Sequence, residues 1–301
     1  MQSQPDTRPL AGILWMLSSG LTFVAVTGIV RYLGTDLPAA ESSLIRYAIG
    51  VLILSPAIIQ SLRGGFAPGA MRLFVVRGGV HSLAVILWFF AMARIPVAEV
   101  TAIGYLNPVG VTIGAALFFG EKLALRRIMA VGVALIGALV ILRPGLREVG
   151  SGHLAQLGAA MLFAGSYLIA KRLSQIAKPG VIVAMMSLMV TIFLIPMAVP
   201  VWVTPSYAQV GWLGLVAVIA TAGHYFMTRA FQAAPLTVTQ PVTFLQLVWA
   251  TLLGSLVFGE AVDPFVLLGG GLIIGAISYI TWRESRVSRT EITPPPEAAK
   301  L

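Results

Sequence analysis

The sequence has no cysteine among its 301 residues, which excludes disulfides, thiolate metal sites and cysteine nucleophiles. It is also short of charge. Asp, Glu, Lys and Arg together make up 10% of the chain, where a soluble domain carries about 25%. So few charges cannot cover a water-facing surface. The whole chain is therefore not read as a soluble enzyme, a nucleic-acid binder or a disordered polymer. The net charge of +9 would suit nucleic acid only as a basic face on a soluble fold, and here the basic residues sit at the ends of apolar runs. No phosphate-binding P-loop is present, so ATP-driven work by this chain alone is not expected, and no motif calls for a cofactor. No cleavable leader is expected: the first apolar run follows one basic residue, Arg8, and is too long for an h-region.

What is abundant is apolar length. Apolar types make up 58% and the mean hydropathy is +0.92. A membrane-spanning helix needs roughly 20 mostly apolar residues, because the hydrocarbon core is ~30 Å thick and a helix rises ~1.5 Å per residue. Ten such runs are legible, at about residues 10–30, 39–60, 72–93, 97–119, 127–142, 153–170, 180–199, 211–231, 236–258 and 264–282. The charge-free stretch from Pro179 to Thr228 is divided at Pro200 and Pro205, where proline prevents a continuous helix. Residues 283–301 contain Pro294, Pro295 and Pro296 and are expected to form a disordered cytoplasmic tail. The basic residues orient the spans. With both termini inside, inner segments hold 14 of the 20 Lys and Arg and outer segments hold 4, namely Arg31, Arg94, Arg143 and Arg147. Arg46 and Arg77 lie within spans. That bias predicts cytoplasmic termini on an inner (plasma) membrane protein.

The sequence also repeats itself. A shift of 139 brings Leu106 onto Leu245, Thr112 onto Thr251, and Phe119-Gly120-Glu121 onto Phe258-Gly259-Glu260. A shift of 140 brings Phe23 onto Phe163 and Arg31 onto Lys171. Helices 1–5 thus match helices 6–10, as residues 10–142 and 153–282. Five is odd, so the second half is expected to insert upside down. The loop after the first Gly-Glu pair carries Lys122, Arg126 and Arg127, while the loop after the second carries Asp263 and no basic residue. The expected fold is an all-α integral membrane protein of ten transmembrane helices, arranged as two inverted five-helix repeats. Secondary transporters recurrently use this plan, with a site between the halves near the midplane.

At these residues the chain resembles the EamA family of the drug/metabolite transporter superfamily. The resemblance rests on "LIRYAIG" around Arg46, "ALFFGEKLALRR" and "GSLVFGEAVDPF" closing helices 4 and 9, and "VILRPG" closing helix 5. It covers about residues 10–283. It implies a secondary transporter of small organic metabolites, often an exporter, with a central cavity lined by both halves. The stretch "VVRGGVHSLAVILWFFAMARIPVAEVTAIGYLNP" also looks like a subgroup that includes vitamin and nucleoside-like metabolite carriers, riboflavin among them.

Polar groups inside a membrane are costly and face a cavity or a partner. Arg77, His81 and Trp88 share one face of helix 3, and Thr221, His224 and Thr228 share one face of helix 8. The two histidines are expected at similar depth. They are read either as proton-coupling groups, because imidazole titrates near neutral pH, or as hydrogen-bond partners of neighbouring helices. Glu99, Ile103, Asn107, Gly110 and Gly114 form a stripe on helix 4, and Thr239, Thr243 and Gln246 a stripe on helix 9. Asn107 and Gln246 coincide under the shift of 139, which makes them the first candidates for substrate contact, against a role in helix packing. Tyr105 lies beside them. Trp88 and Tyr167, with Trp249, are candidates for stacking on a planar substrate or for packing. Arg46 is expected to pair with Glu41 or Glu99, or else to meet an anionic substrate group. Glu121 and Glu260 read as caps or loop anchors, and Gly271-x-x-x-Gly275 as a close helix contact within the chain or in a homodimer. No metal site is expected. With no deep carboxylate beyond Glu99, neutral, zwitterionic or anionic solutes fit better than cations. Partners are thus a small metabolite and the lipid bilayer, with protons as the candidate coupling ion. A membrane-embedded enzyme built on His81 and His224 is the competing class, and a passive channel the third. The enzyme is disfavoured for want of clustered carboxylates or metal ligands.

Overall fold

A computed structural model describes residues 9–119, 125–146, 148–173, 176–233, 239 and 242–292. Its described elements are helical: α1 (Pro9–Leu33), α2 (Ala39–Gly64), α3 (Ala70–Met92), α4 (Val97–Gly104), α5 (Asn107–Phe119) and α6 (Leu125–Leu142). There follow α7 (Ser151–Leu173), α8 (Pro179–Ala198), a 3-10 turn (Val199–Val201), α9 (Tyr207–Ala233), α10 (Leu245–Phe258) and α11 (Pro264–Ile292). Among the described residues, α1, α2, α3, α7, α8 and α9 are long and apolar enough to cross a membrane; α6, α10 and α11 carry shorter apolar stretches.

The distribution of polarity is inverted relative to a soluble protein. Leu52, Leu256 and Leu268 are exposed, Leu256 to 80%, whereas Arg46, Arg77, His81, Glu99 and Gln156 are buried. A lipid-facing surface accounts for both, because hydrocarbon costs nothing to an exposed leucine and much to an exposed charge.

The helices pack across the middle of the sequence. α1 lies on α9, α3 on α7, α2 on α8 and α6 on α11. Small residues permit the closest crossings. A Cβ built on Gly137 of α6 would lie 2.6 Å from the Gly269 carbonyl oxygen of α11. Gly271 and Gly275 have open space around them and face outward, so they do not make the close intrachain contact their spacing suggested. The register of α11 instead turns Gly269 and Gly270 inward, and Gly270 meets Leu247 of α10.

Of the expected run 236–258, the helix α10 covers Leu245–Phe258 after a turn at Phe244, and residues 236–238, 240 and 241 lie outside the described residues. Two further boundaries differ from expectation. The run 97–119 is broken at Tyr105 and Leu106 into α4 and α5. Pro108 explains this: it lacks an N–H and its ring collides with the carbonyl four residues back, on Gly104, where α4 ends. The stripe from Glu99 to Gly114 therefore does not run along one helix. Its members pack on α7 instead, through Glu99 to His153 and Gly110 to Ala164. Second, α11 continues to Ile292, beyond Arg283 where disorder was expected. No proline or glycine interrupts residues 283–292, and a helix stops before the prolines at 294–296. Residues 293–301 lie outside the described residues, as do Glu121 and Lys122.

Candidate functional site

The break in α4–α5 forms one wall of a cavity of about 270 Å³ between the first and second halves of the chain. α1 contributes Phe23 and Thr27, α2 contributes Arg46 and Tyr47, and α3 contributes His81 and Trp88. Tyr105 and Asn107 come from the break, and Gln156, Phe163 and Tyr167 from α7. His224 of α9 and Gln246 of α10 complete the wall. A second cavity of about 280 Å³ shares Arg46, Tyr47 and His224 and extends between α2, α8 and α9 past Leu54, Val183 and Thr221.

The wall has aromatic faces set by ring contacts. Phe23 meets His224 edge-on with centroids 5.1 Å apart, and Phe163 meets His81 edge-on, also at 5.1 Å. Trp88 lies edge-on to Phe163 at 6.0 Å. Tyr105 crosses to the opposite half: its hydroxyl donates to the Thr243 carbonyl at 3.2 Å, and its ring meets Phe244 at 5.5 Å. That latch has a modest expected value. Tyr105→Phe should lower stability by about 1 kcal/mol, the net worth of one hydrogen bond, read as a small drop in melting temperature in detergent. An unchanged melting temperature would mean that the contact across the break carries no load.

A polar chain supports the α2–α3–α7 wall. Arg77 Nε donates to Ser166 Oγ at 3.3 Å, Ser166 Oγ lies 3.0 Å from His81 Nδ1, and His81 Nε2 lies 3.1 Å from the Tyr47 hydroxyl. Both nitrogens of His81 are thus engaged, and it holds Tyr47 in place against the cavity.

The sequence candidates divide accordingly. Asn107, Gln246, His81, His224, Trp88, Tyr105, Tyr167 and Arg46 line the cavity. Asn107 and Gln246 begin α5 and α10, and neither side-chain amide makes a hydrogen bond among the described residues. Thr243 supplies a carbonyl to Tyr105 but is not part of the wall. Arg77 stands behind it on Ser166. Arg46 does not pair with Glu41 or Glu99. Glu41 accepts the Val203 N–H at 2.9 Å, tying α2 to the segment before α9. Glu99 lies 2.8 Å from His153 Nε2. The Gly150 N–H donates to His153 Nδ1 at 3.1 Å, which leaves Nε2 as the nitrogen that carries hydrogen toward Glu99. Among the described residues no three His, Asp or Glu side chains converge as a metal ion would need.

Four contributors escaped the sequence reading. Phe23 and Phe163 were visible as a repeat match but not as cavity lining. Gln156 donates from Nε2 to the Val100 carbonyl at 3.0 Å and keeps a buried Oε1 without a partner. An amide one turn into an apolar helix was the available signal. His153 looked like a helix boundary and is Glu99's partner.

A lipid-facing helical shell around a polar and aromatic cavity between two halves of one chain defines a multi-pass membrane transporter. The sequence profile of the EamA-like transporter family matches residues 10–143 and again residues 150–282. The chain belongs to that family, and carries its domain twice. It is 31% identical over 295 residues to a riboflavin transporter of Vibrio cholerae, covering 94% of this chain and 97% of the relative. It is 26% identical over 287 residues to an S-adenosylmethionine uptake transporter of Rickettsia prowazekii, covering 92% and 94%. It is 27% identical over 268 residues to a pseudopaline exporter of Pseudomonas aeruginosa, covering 88% and 94%. These relatives thus include carriers of small metabolites named for uptake and for export. A solved crystal structure shares the fold with a TM-score of 0.57 at 18% identity, covering 93% of this chain and 96% of the other.

Proposed function

We propose that this chain is a secondary carrier that moves a small organic metabolite with a planar ring across the inner membrane by alternating access. Its ten spans form two five-helix halves of opposite orientation, with both termini cytoplasmic. The observation that carries this reading is the matched wall of the cavity. Phe23 and Phe163, 140 residues apart, each meet a histidine of the other half at 5.1 Å. Asn107 and Gln246, 139 apart, enter the same cavity. Further support comes from the packing. α1 on α9 and α3 on α7 are the pairs a two-fold relation would exchange, while α2–α8 and α6–α11 are the pairs it would leave in place. Pro56 and Pro196, inside α2 and α8, are also 140 apart. Opposite insertion is supported by Asp263, which bonds to Arg143 at the end of α6 far from Leu125.

Two such halves can rock about a shared site and expose it to one side at a time. The Asn107 and Gln246 amides bond to the metabolite's polar edge while the aromatic residues cover its ring. Riboflavin is the first metabolite to test, given the 31% identical relative. Purified protein in liposomes should move labelled riboflavin with saturation and accelerate exchange when unlabelled riboflavin is placed on the far side. Asn107→Ala and Gln246→Ala should each lower flux about tenfold, as expected when a buried polar contact is lost. Non-saturating flux would reveal a channel, and chemical change of the metabolite an enzyme. Whole-cell accumulation against depletion of the label reads the direction.

A further inference from the structure

We propose that Arg46 is the recognition point for an anionic group on the carried metabolite, so that the site selects planar carboxylates over their neutral counterparts. The proposal rests on the carrier reading for the word metabolite, and on the geometry alone for the binding site.

Arg46 is 7% exposed and forms part of the wall common to both cavities. Its Nε and Nη1 are buried with no hydrogen-bond partner, and its guanidinium carbon lies 4.1 Å from the centroid of the Tyr47 ring. Among the described residues, no Asp or Glu lines either cavity. The acidic side chains on the neighbouring elements bond to groups other than Arg46: Glu41 Oε2 accepts from Val203, its buried Oε1 having no partner, Glu99 meets His153 and Glu260 meets Arg31. Arg77, the other buried guanidinium, adds charge of the same sign and keeps an Nη1 without a partner.

A guanidinium does not shed its proton, so burial cannot neutralise it. An unpaired charge in a low-dielectric interior is costly unless a counter-charge arrives. Among the described residues no carboxylate bonds to Arg46 or lines the cavities it faces, so the counter-charge belongs to the ligand. The planar fork of donors suits a carboxylate, which accepts two parallel hydrogen bonds. α5 and α10 also begin at the cavity, and helix N-termini favour negative charge. Cationic solutes meet repulsion. Trp88, Phe163 and Phe23 then hold the ring.

Two acid and amide pairs of equal shape test this: nicotinate with nicotinamide, and indole-3-acetate with indole-3-acetamide. Binding to the purified full chain is followed by tryptophan fluorescence and by thermal shift. The wild type should bind at least one acid about tenfold to hundredfold tighter than its amide, the range of a charge-assisted hydrogen bond. Arg46→Gln should abolish the preference while Arg46→Lys keeps part of it. Equal binding of acid and amide in the wild type, or no binding of either member of both pairs, overturns the proposal without reference to any variant. So does a preference that survives in folded Arg46→Gln protein. The carrier reading fails separately: a bound acid that liposomes never move with saturation sinks the carrier and leaves the anion site. Saturable riboflavin flux without any acid preference does the reverse.

Discussion

Replacing Glu260 with alanine is expected to loosen one whole end of the bundle. Its Oε1 accepts from Arg31 Nε at 3.1 Å, and its Oε2 accepts from the Val97 N–H at 3.0 Å. Its own N–H donates to the Gly254 carbonyl at 2.9 Å, closing the end of α10. Arg31 donates in addition to the Ala93 carbonyl at 3.1 Å. One carboxylate therefore ties the end of α1, the start of α4 and the α10–α11 connection. The pair is largely buried, with side chains 24% and 11% exposed. Removing one partner of a pair this enclosed costs about 2–4 kcal/mol, because the other charge loses its compensation.

In a carrier, that end must part when the cavity opens on that side, so the variant should shift population as well as melt earlier. A bias of ~2.7 kcal/mol changes a two-state ratio about a hundredfold. The cysteine-free sequence makes the readout simple. Thr27→Cys puts a single thiol on the α1 wall of the cavity. Its alkylation by an impermeant maleimide should speed up at least about tenfold when Glu260→Ala is added. Glu260→Gln should fall between, since an amide oxygen still accepts from Val97. Gly254→Ala should imitate Glu260→Ala, because its Cβ would lie 2.5 Å from Glu260 Oε2. If melting and labelling both match the wild type, Glu260 holds nothing together.

The second large effect is expected at the α6–α11 crossing. A Cβ at Gly137 would meet the Gly269 carbonyl oxygen at 2.6 Å and Ile273 Cγ1 at 2.8 Å, and a Cβ at Gly269 would collide with the Gly137 carbonyl and Ile141. The obstacle is backbone, which no rotamer change can move aside. Gly137→Val and Gly269→Val should each cost about 2–3 kcal/mol, with loss of a monodisperse peak on gel filtration. Gly271→Ala and Gly275→Ala meet open space and should keep or raise the melting temperature, because alanine favours a helix over glycine by about 1 kcal/mol. Normal behaviour of Gly269→Val, with damage from Gly271→Ala, would show that α11 is turned the other way.

The two glycine pairs also show where sequence reasoning ran short. Gly271 and Gly275 have the spacing of a packing motif, yet Gly137 and Gly269 make the contact. Spacing locates a face on a helix, but which face turns inward depends on the partner. The same holds for Arg46. Its presence in an apolar run marked it as functional or paired, and Glu41 and Glu99 were the partners within reach of counting. Glu41 lies five residues earlier on α2, about 140° around the helix at 100° per residue, and bonds to Val203. Asn107 and Gln246 were legible because the repeat shift compares depth directly. Gln156 and Phe163 were missed because no single helix pattern sets them apart from packing residues.

The sequence by itself determined the class of the protein. Apolar length with little charge leaves only the membrane as solvent, and the doubled motifs mark the two related halves. Those properties are sums along the chain and need no knowledge of neighbours. Only the tertiary structure decided that Tyr105 reaches Thr243, that His153 rather than Arg46 engages Glu99, and that the Arg46 guanidinium bonds to no carboxylate among the described residues. Each depends on helices distant in sequence being rotated and brought within about 3 Å, the range in which hydrogen bonds form.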